Sequence, residues 1–181
     1  MNKQSFFRAN GVGLVLATGA FMLLGCDNSG RGLLHLDARP SAQWTCDKQF
    51  IPILNTLTSG FSTEEFRMVD NVSDWCRIWD TLYASYSPAP PCDTTLVDFA
   101  REVALLAAMG SRSSGGYTVQ INCVQSEDTP GDIQVLVTES SPGPNCIVTA
   151  AFTSPATVVK VQRPVHTALF QRDTLVKDCT P

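Results

Sequence analysis

The segment that decides the fold runs from residue 96 to residue 122 and reads LVDFAREVALLAAMGSRSSGGYTVQIN. Its apolar run Glu102–Met109 and a second apolar stretch that begins at Tyr117 flank a loop of small residues, Gly110–Gly116. Two apolar stretches around a loop that ends in two glycines are typical of a β-hairpin with an exposed tip. The residues of the first stretch leave its structure open, because Glu, Ala, Leu and Met also favour a helix.

Beyond this loop the apolar residues recur with a period of two, which predicts strands. One face of the first strand holds Tyr117, Val119, Ile121 and Cys123, and a turn is predicted at residues 128–131. Later strands are predicted from Ile133, Val135 and Val137, then from Cys146, Val148, Ala150 and Phe152, and then from Val158, Val159 and Val161. A loop stiffened by prolines, residues 140–145, follows the first of these, and the last ends at Arg163-Pro164.

The region before the hairpin adds two strands and the clearest helix. Residues 50–57 predict an edge strand, because Pro52 lacks a backbone donor, and residues 66–69 predict a short strand. Ser73 is the predicted N-cap of the helix. Its apolar stripe, for which we expect core packing, consists of Trp75, Ile78, Trp79 and Leu82. The predicted fold class is mainly β: a small antiparallel β-sandwich or barrel-like sheet with one short helix.

The N-terminus carries the features of an export signal. Lys3 and Arg8 precede an apolar run, residues 11–24, that is too short to span a bilayer as a mature helix and fits a secretory signal. Residues 23–26, LLGC, resemble the lipobox of bacterial lipoproteins, which implies that Cys26 is lipidated and holds the protein on a membrane. We therefore expect a signal peptide (1–25), a flexible tether (26–45) and one domain (46–181) in the cell envelope, on the periplasmic or extracellular side.

Charge argues against nucleic acid as a partner. Without Lys3 and Arg8, 11 basic side chains stand against 17 acidic ones, whereas nucleic-acid binding requires clustered Lys and Arg. The glycine-rich loop is not a phosphate cradle either, because the G-x-x-x-x-G-K-[ST] pattern is absent from the sequence. No cofactor is predicted.

The cysteines predict a disulfide framework. An even number in an exported domain indicates up to three disulfides, here among Cys46, Cys76, Cys92, Cys123, Cys146 and Cys179. Cys76 with Cys92 is the easiest pair, and Cys123 with Cys146 is disfavoured because strand alternation places them at opposite ends of the sheet. The remaining pairings stay open. A metal site is not expected, because no two cysteines lie closer in sequence than Cys76 and Cys92.

The sequence resembles the C-terminal domain of the PrcB family of protease-complex subunits at Val97-Asp98-Phe99, in the apolar run that follows, at Gly110 and at Gly115-Gly116-Tyr117. The resemblance covers roughly residues 50 to 163, through the strand after Pro155 and weakly upstream to Ser73-Asp74-Trp75 and Trp79. It implies that residues 102–109 form a strand. The family is named for a non-catalytic partner of a bacterial surface protease, so the resemblance also implies a protein-binding role.

If consecutive strands run antiparallel, the loops 110–116, 140–145 and 163–166 meet at one edge of the sheet. This arrangement resembles the chagasin-like inhibitors of cysteine proteases, which also present three loops, although no aromatic residue follows Pro164 here. The predicted protein-binding residues are Arg112, Ser113, Ser114, Gly115, Gly116, Tyr117, Pro142, Gly143, Pro144, Arg163, Pro164 and His166. The alternative is structural: the two glycines supply positive φ for a hairpin, and Tyr117 packs in the core.

Three functions remain as hypotheses. The preferred one is a lipid-anchored, non-catalytic protein-binding or protease-accessory module whose partner is another envelope protein, with a protease favoured and protease inhibition as the alternative. The second is a serine hydrolase that uses Ser113 or Ser114 with His166, which is disfavoured because neither a G-x-S-x-G elbow nor a partner acid is indicated. The third is a structural lipoprotein without a specific partner.

Overall fold

The structure of the domain is a computed structural model that describes residues 44–179. The predicted signal peptide, Cys26 and the tether up to residue 43 lie outside the described residues, so lipidation and the bounds of these segments remain predictions. Within residues 44–179, no helix has the length and apolar character needed to cross a membrane.

The described part of the chain forms two β-sheets and one short helix. Its elements are β1 (Phe50–Thr56), β2 (Glu65–Val69), α1 (Val72–Leu82), β3 (Glu102–Ala108), β4 (Thr118–Ser126), β5 (Asp132–Pro142), β6 (Ala156–Gln162) and β7 (Thr167–Lys177). The first sheet has the strand order β1-β6-β3-β2, and the second has the order β4-β5-β7. The mainly β fold with one short helix is therefore confirmed, as is the edge position of the strand that contains Pro52.

Strand β3 lies at the centre of the molecule and is buried on both faces. One face joins the core between the two sheets and holds Val103, Leu105 and Ala107. The other face joins the core under α1 and holds Ala104, Leu106 and Ala108. A strand that is covered on both sides requires apolar residues at every position, which explains why this segment shows no alternation. The strand predicted at residues 102–109 is confirmed.

Helix α1 covers the first sheet with the predicted apolar stripe, whose four residues are all buried. The helix starts earlier than the sequence suggested. Asn71 is the N-cap, and its side-chain oxygen accepts a hydrogen bond from the backbone N–H of Asp74 at 2.9 Å. The prediction of Ser73 as N-cap is wrong, because Asn71 already satisfies the free donor of the first turn and Ser73 lies within that turn.

A buried carboxylate fixes the turn that leads into β3. Glu102 accepts hydrogen bonds from the backbone N–H of Asp98 at 3.0 Å, from Lys160 at 3.1 Å and from Gln162 at 3.0 Å. Burial opposes ionisation of Glu102, but the three hydrogen bonds outweigh it and hold the pKa of this carboxyl below its ordinary value. Lys160 also donates to the carbonyl of Leu96 at 3.0 Å. The Asp98 turn is thus tied to both β3 and β6.

Residues 146–152 differ from their predicted structure, because they form an irregular loop instead of a strand. Strand β5 extends to Pro142, and the chain then crosses to the other sheet before β6 begins at Ala156. All of these residues except Cys146 are exposed. Their apolar alternation therefore does not mark a face that packs on a core, which is the condition under which a period of two indicates a strand.

Strand β7 was not predicted, and it pairs with β5 in parallel, in contrast to the antiparallel pairing of the other strands. The register sets Thr167 beside Asp132, so both strands start at the same end of the sheet. The two strands are parallel because the chain crosses from β6 in the first sheet to β7 in the second. The rule that consecutive strands alternate in direction applies to neighbours within one sheet.

Three disulfides are present in residues 44–179. They join Cys76 to Cys92, Cys46 to Cys123, and Cys146 to Cys179, with Cα separations of 5.3, 5.0 and 4.9 Å. The expected pair of Cys76 with Cys92 is confirmed, and the disfavoured pair of Cys123 with Cys146 does not occur. The second disulfide ties the segment before β1 to β4, and the third ties the loop after β5 to the end of β7.

Candidate functional site

Two loops meet at one end of the sandwich, and both carry the chain from one sheet to the other. We call them together the two-loop tip: residues 110–116, between β3 and β4, and residues 143–153, between β5 and β6. A short antiparallel bridge joins them. The backbone N–H of Arg112 donates to the carbonyl of Thr153 at 2.7 Å, and the N–H of Thr153 donates to the carbonyl of Arg112 at 3.0 Å.

Gly115 and Gly116 allow the two loops to approach closely. The N–H of Gly115 donates to the carbonyl of Thr149 at 2.9 Å, and a Cβ atom on Gly115 would collide with the hydroxyl of Thr149. Gly116 has a φ of +88°, and a Cβ atom there would lie 3.0 Å from both Pro142 and Val148. The positive φ suggested by the sequence is found at Gly116, whereas Gly115 is needed for the contact between the loops.

Of the other residues predicted for the first loop, some are exposed to solvent and others pack against the core. Ser113 is exposed, and the carbonyl of Ser114 accepts a hydrogen bond from the hydroxyl of Thr153 at 2.8 Å. Tyr117 is half-buried and packs against the core between the sheets, as the structural alternative predicted. The guanidinium of Arg112 lies 5.9 Å from the centroid of the Tyr117 ring.

The second loop starts with a constrained turn. Pro142 is the last residue of β5 and packs against Gly116. Gly143 is buried, and its N–H donates to the carbonyl of Lys177 at 2.8 Å, which attaches the turn to the end of β7. Pro144 is exposed beside this turn.

The second loop of the two-loop tip carries two large apolar side chains that are exposed to solvent. Ile147 is completely exposed, and Phe152 is 82% exposed. Cys146, next to Ile147, is bonded to Cys179, so the loop is held covalently at this point. A shallow cavity of about 230 Å³ adjoins Phe152 and is otherwise lined mainly by serines and threonines. Ile147 and Phe152 are therefore accessible to a partner on a loop whose backbone is fixed at two points.

Four charged side chains join the tip to both sheets. Arg112 pairs with Glu64 at 3.1 Å, Glu64 pairs with Arg172 at 2.9 Å, and Arg172 pairs with Glu139 at 2.6 Å. Glu139 lies on β5 and Arg172 on β7, while Glu64 immediately precedes β2. Arg112 is therefore a positioning residue for the first loop, although part of its side chain remains accessible.

The same contacts shift the pKa values of Glu64 and Arg172. Burial raises the pKa of Glu64, but the hydrogen bond from Arg112 and the pairing with Arg172 outweigh it, so this pKa lies below its ordinary value. The hydrogen bond to Glu139 raises the pKa of Arg172 above its ordinary value. Both shifts favour the charged forms of Glu64 and Arg172, which strengthens the hydrogen bonds between them.

The third predicted loop, residues 163–166, lies at the opposite end of the sandwich. The N–H of His166 donates to the carbonyl of Gly131 at 2.7 Å, and Arg163 donates to the carbonyl of Phe99 at 3.1 Å. Both acceptors belong to turns at the far end, where β3 begins and β5 begins. The prediction that all three loops meet at one edge of the sheet is therefore wrong.

The error has one physical cause. A strand at residues 146–152 would reverse the end at which every later loop falls, and this strand does not form. Arg163, Pro164 and His166 accordingly do not belong to the two-loop tip. The likeness to the chagasin-like inhibitors loses its third loop for the same reason.

The serine hydrolase arrangement is also wrong. His166 packs against Gly131 at the far end, whereas Ser113 and Ser114 lie in the two-loop tip. The hydroxyl of Ser114 donates to the carbonyl of Gly115 at 3.3 Å. Among residues 44–179, no group of three His, Cys, Asp or Glu side chains is arranged to hold a metal ion.

Both loops of the tip lie inside one stretch of family similarity. Residues 103–162 match the PrcB C-terminal family. The PrcB C-terminal match starts in β3 and ends with the last residue of β6, so it contains the two-loop tip and the strands that support it. Neither a curated protein nor a solved structure matches the chain.

The match is shorter than the resemblance inferred from the sequence, which began near residue 50. The upstream part, with α1 and its Ser73-Asp74-Trp75 motif, therefore remains a prediction of the resemblance. Strand β7 lies beyond the match, as expected for the tail after Arg163.

Sequence reasoning missed the residues that give the tip its chemistry. Ile147 was not considered, and Phe152 was assigned to a strand face. The available signal was Pro144 together with Pro155, which bracket this stretch and argue against a regular strand. The charged cluster of Glu64, Glu139 and Arg172 leaves no signal in the sequence, because its members come from three distant segments.

Proposed function

We propose that this protein is a lipid-anchored, non-catalytic module of the cell envelope that binds a protease complex through the two-loop tip. The observation that carries the proposal is the exposure of Ile147 and Phe152, two large apolar side chains on a loop fixed by a disulfide and by a backbone bridge. The PrcB C-terminal match supports a protease complex as the partner.

The physical argument concerns the cost of binding. A rigid loop loses little conformational freedom when a partner covers it, so more of the apolar contact energy is retained as affinity. The bridge between Arg112 and Thr153 and the disulfide of Cys146 provide this rigidity. An aromatic side chain such as Phe152, surrounded by polar residues, has the composition of an interface anchor.

The test compares two substitutions in the tip with a matched one elsewhere. Ile147→Asp and Phe152→Asp are each expected to weaken binding by about 2 kcal/mol or more, roughly 30-fold, because each places a charge in a desolvated contact. Ile51→Asp is the control, since Ile51 is 55% exposed on edge strand β1.

The readout is recovery of envelope proteins cross-linked to the tagged full chain, followed by titration of the recovered protease subunit. Loss in both tip variants with retention in Ile51→Asp supports the proposal. Equal recovery of the same subunit by all variants would exclude the tip as the binding surface.

The anchoring part of the proposal is tested separately. Cys26→Ser is expected to abolish fatty-acid labelling and to move the protein from the membrane fraction to the soluble fraction, because the tether offers no other membrane contact of comparable strength. Asn28→Ala, two residues away, should keep both label and membrane association. Labelling of Cys26→Ser would contradict lipidation at this position.

A further inference from the structure

The last five residues of β7 form an open edge of the second sheet. Strand order places β7 at the edge, paired only with β5 in its sheet. In its first half, the side chain of Phe170 packs against Phe66 of β2 with ring centroids 6.0 Å apart, which holds that half against the first sheet. Residues 173–177 are all exposed, and Leu175 and Val176 are 50% and 63% exposed. An exposed apolar edge is a template for pairing with another strand.

The backbone direction at this edge is fixed by one hydrogen bond. The carbonyl of Lys177 accepts from the N–H of Gly143, which lies on the β5 side. Because successive residues of a strand direct their backbone groups to opposite sides, Asp173, Leu175 and Lys177 face β5. Thr174 and Val176 therefore present their N–H and C=O groups at the open edge.

We propose that a second copy of this chain pairs with this edge, β7 against β7 in an antiparallel two-fold arrangement centred on Leu175. This register sets Thr174 opposite Val176 of the second copy as a hydrogen-bonded pair, in agreement with the backbone directions. It sets Asp173 opposite Lys177 of the second copy, twice by symmetry. The two three-stranded sheets then become one continuous sheet.

The charges on β7 favour a second copy of this chain as the partner and favour the register centred on Leu175. Asp173 and Lys177 lie four residues apart, so they meet in opposite-charge pairs only when two copies are centred on Leu175. Centring on Asp173 would set two carboxylates opposite each other, and centring on Arg172 would set two guanidinium groups opposite each other. Like charges directly across a strand pair are unfavourable.

Leu175→Cys in the full chain tests the register. Leu175 lies on the two-fold axis as a non-hydrogen-bonded pair, in which side chains are close, so oxidation with diamide should give a disulfide-linked homodimer on a non-reducing gel. Leu169→Cys is the matched control, because Leu169 is 65% exposed on the same strand but is not opposite itself in this register. It should remain largely monomeric.

Charge reversal in the Leu175→Cys background tests the pairing itself. Asp173→Lys or Lys177→Asp alone should lower the dimer yield about 2- to 30-fold, and the double reversal should restore it, because two cross-strand charge pairs are lost and regained. Equal dimer yields from Leu175→Cys and Leu169→Cys, or failure of the double reversal to restore the yield, would overturn the proposal. A mixed disulfide with another protein in place of the homodimer would also overturn it.

Discussion

Trp75→Ala is expected to lower the free energy of unfolding by about 3–5 kcal/mol, the range for removal of a large buried aromatic side chain. Trp75 lies on the buried face of α1 and is completely buried, and its ring lies 5.7 Å from that of Trp79. Its indole N–H donates to the carbonyl of Asp93 at 2.9 Å. The substitution therefore removes core contacts and leaves a carbonyl without its donor.

Urea unfolding followed by far-ultraviolet circular dichroism measures this effect without depending on tryptophan fluorescence. Tyr86→Ala is the control, because Tyr86 is half exposed and contacts mainly the ring of Tyr83. We expect about 1 kcal/mol or less for the control. Equal losses for Trp75→Ala and Tyr86→Ala would contradict a core centred on α1.

Removal of the disulfide between Cys46 and Cys123 by a double alanine substitution is expected to cost about 4–5 kcal/mol in the chain-entropy model. The two cysteines are 77 residues apart, so the bond restricts a large part of the unfolded chain. The bond also attaches the segment before β1 to β4, where Lys48 donates its N–H to the carbonyl of Val124 at 3.1 Å.

The double alanine substitution of Cys76 and Cys92 is the matched comparison. Their separation is 16 residues, and the same model gives a loss of about 3 kcal/mol. Both variants are measured by thermal and urea unfolding under non-reducing conditions. A larger loss for the shorter loop would show that chain entropy does not determine the ranking.

The sequence predicted a feature best where packing imposes a simple period. The stripe of α1 packs on one side only, so its helical spacing is visible in the sequence. Strand β3 packs on both sides, and its composition alone could not distinguish strand from helix. For this segment, the resemblance to the PrcB family correctly predicted a strand, because a family pattern reflects the tertiary structure as well as the local composition.

The site was harder to predict because it depends on how the chain crosses between sheets. The alternation of Val148, Ala150 and Phe152 is compatible with a strand, and only the tertiary structure shows that it contacts no core. Because this one segment was taken for a strand, His166 was predicted at the tip, whereas it lies at the opposite end of the sandwich. The proximity of the first two loops was predicted correctly, as the packing of Gly116 against Pro142 shows.

The disulfide between Cys46 and Cys123 has a mechanical consequence. A pull applied at Cys46 passes directly into β4 through the disulfide, so the segment that leads to β1 carries only part of the load. Strand β1 is an edge strand held by β6 alone in its sheet, and end-on traction would peel it away one hydrogen bond after another. The bridge directs the load into the second sheet and shields the edge of the first.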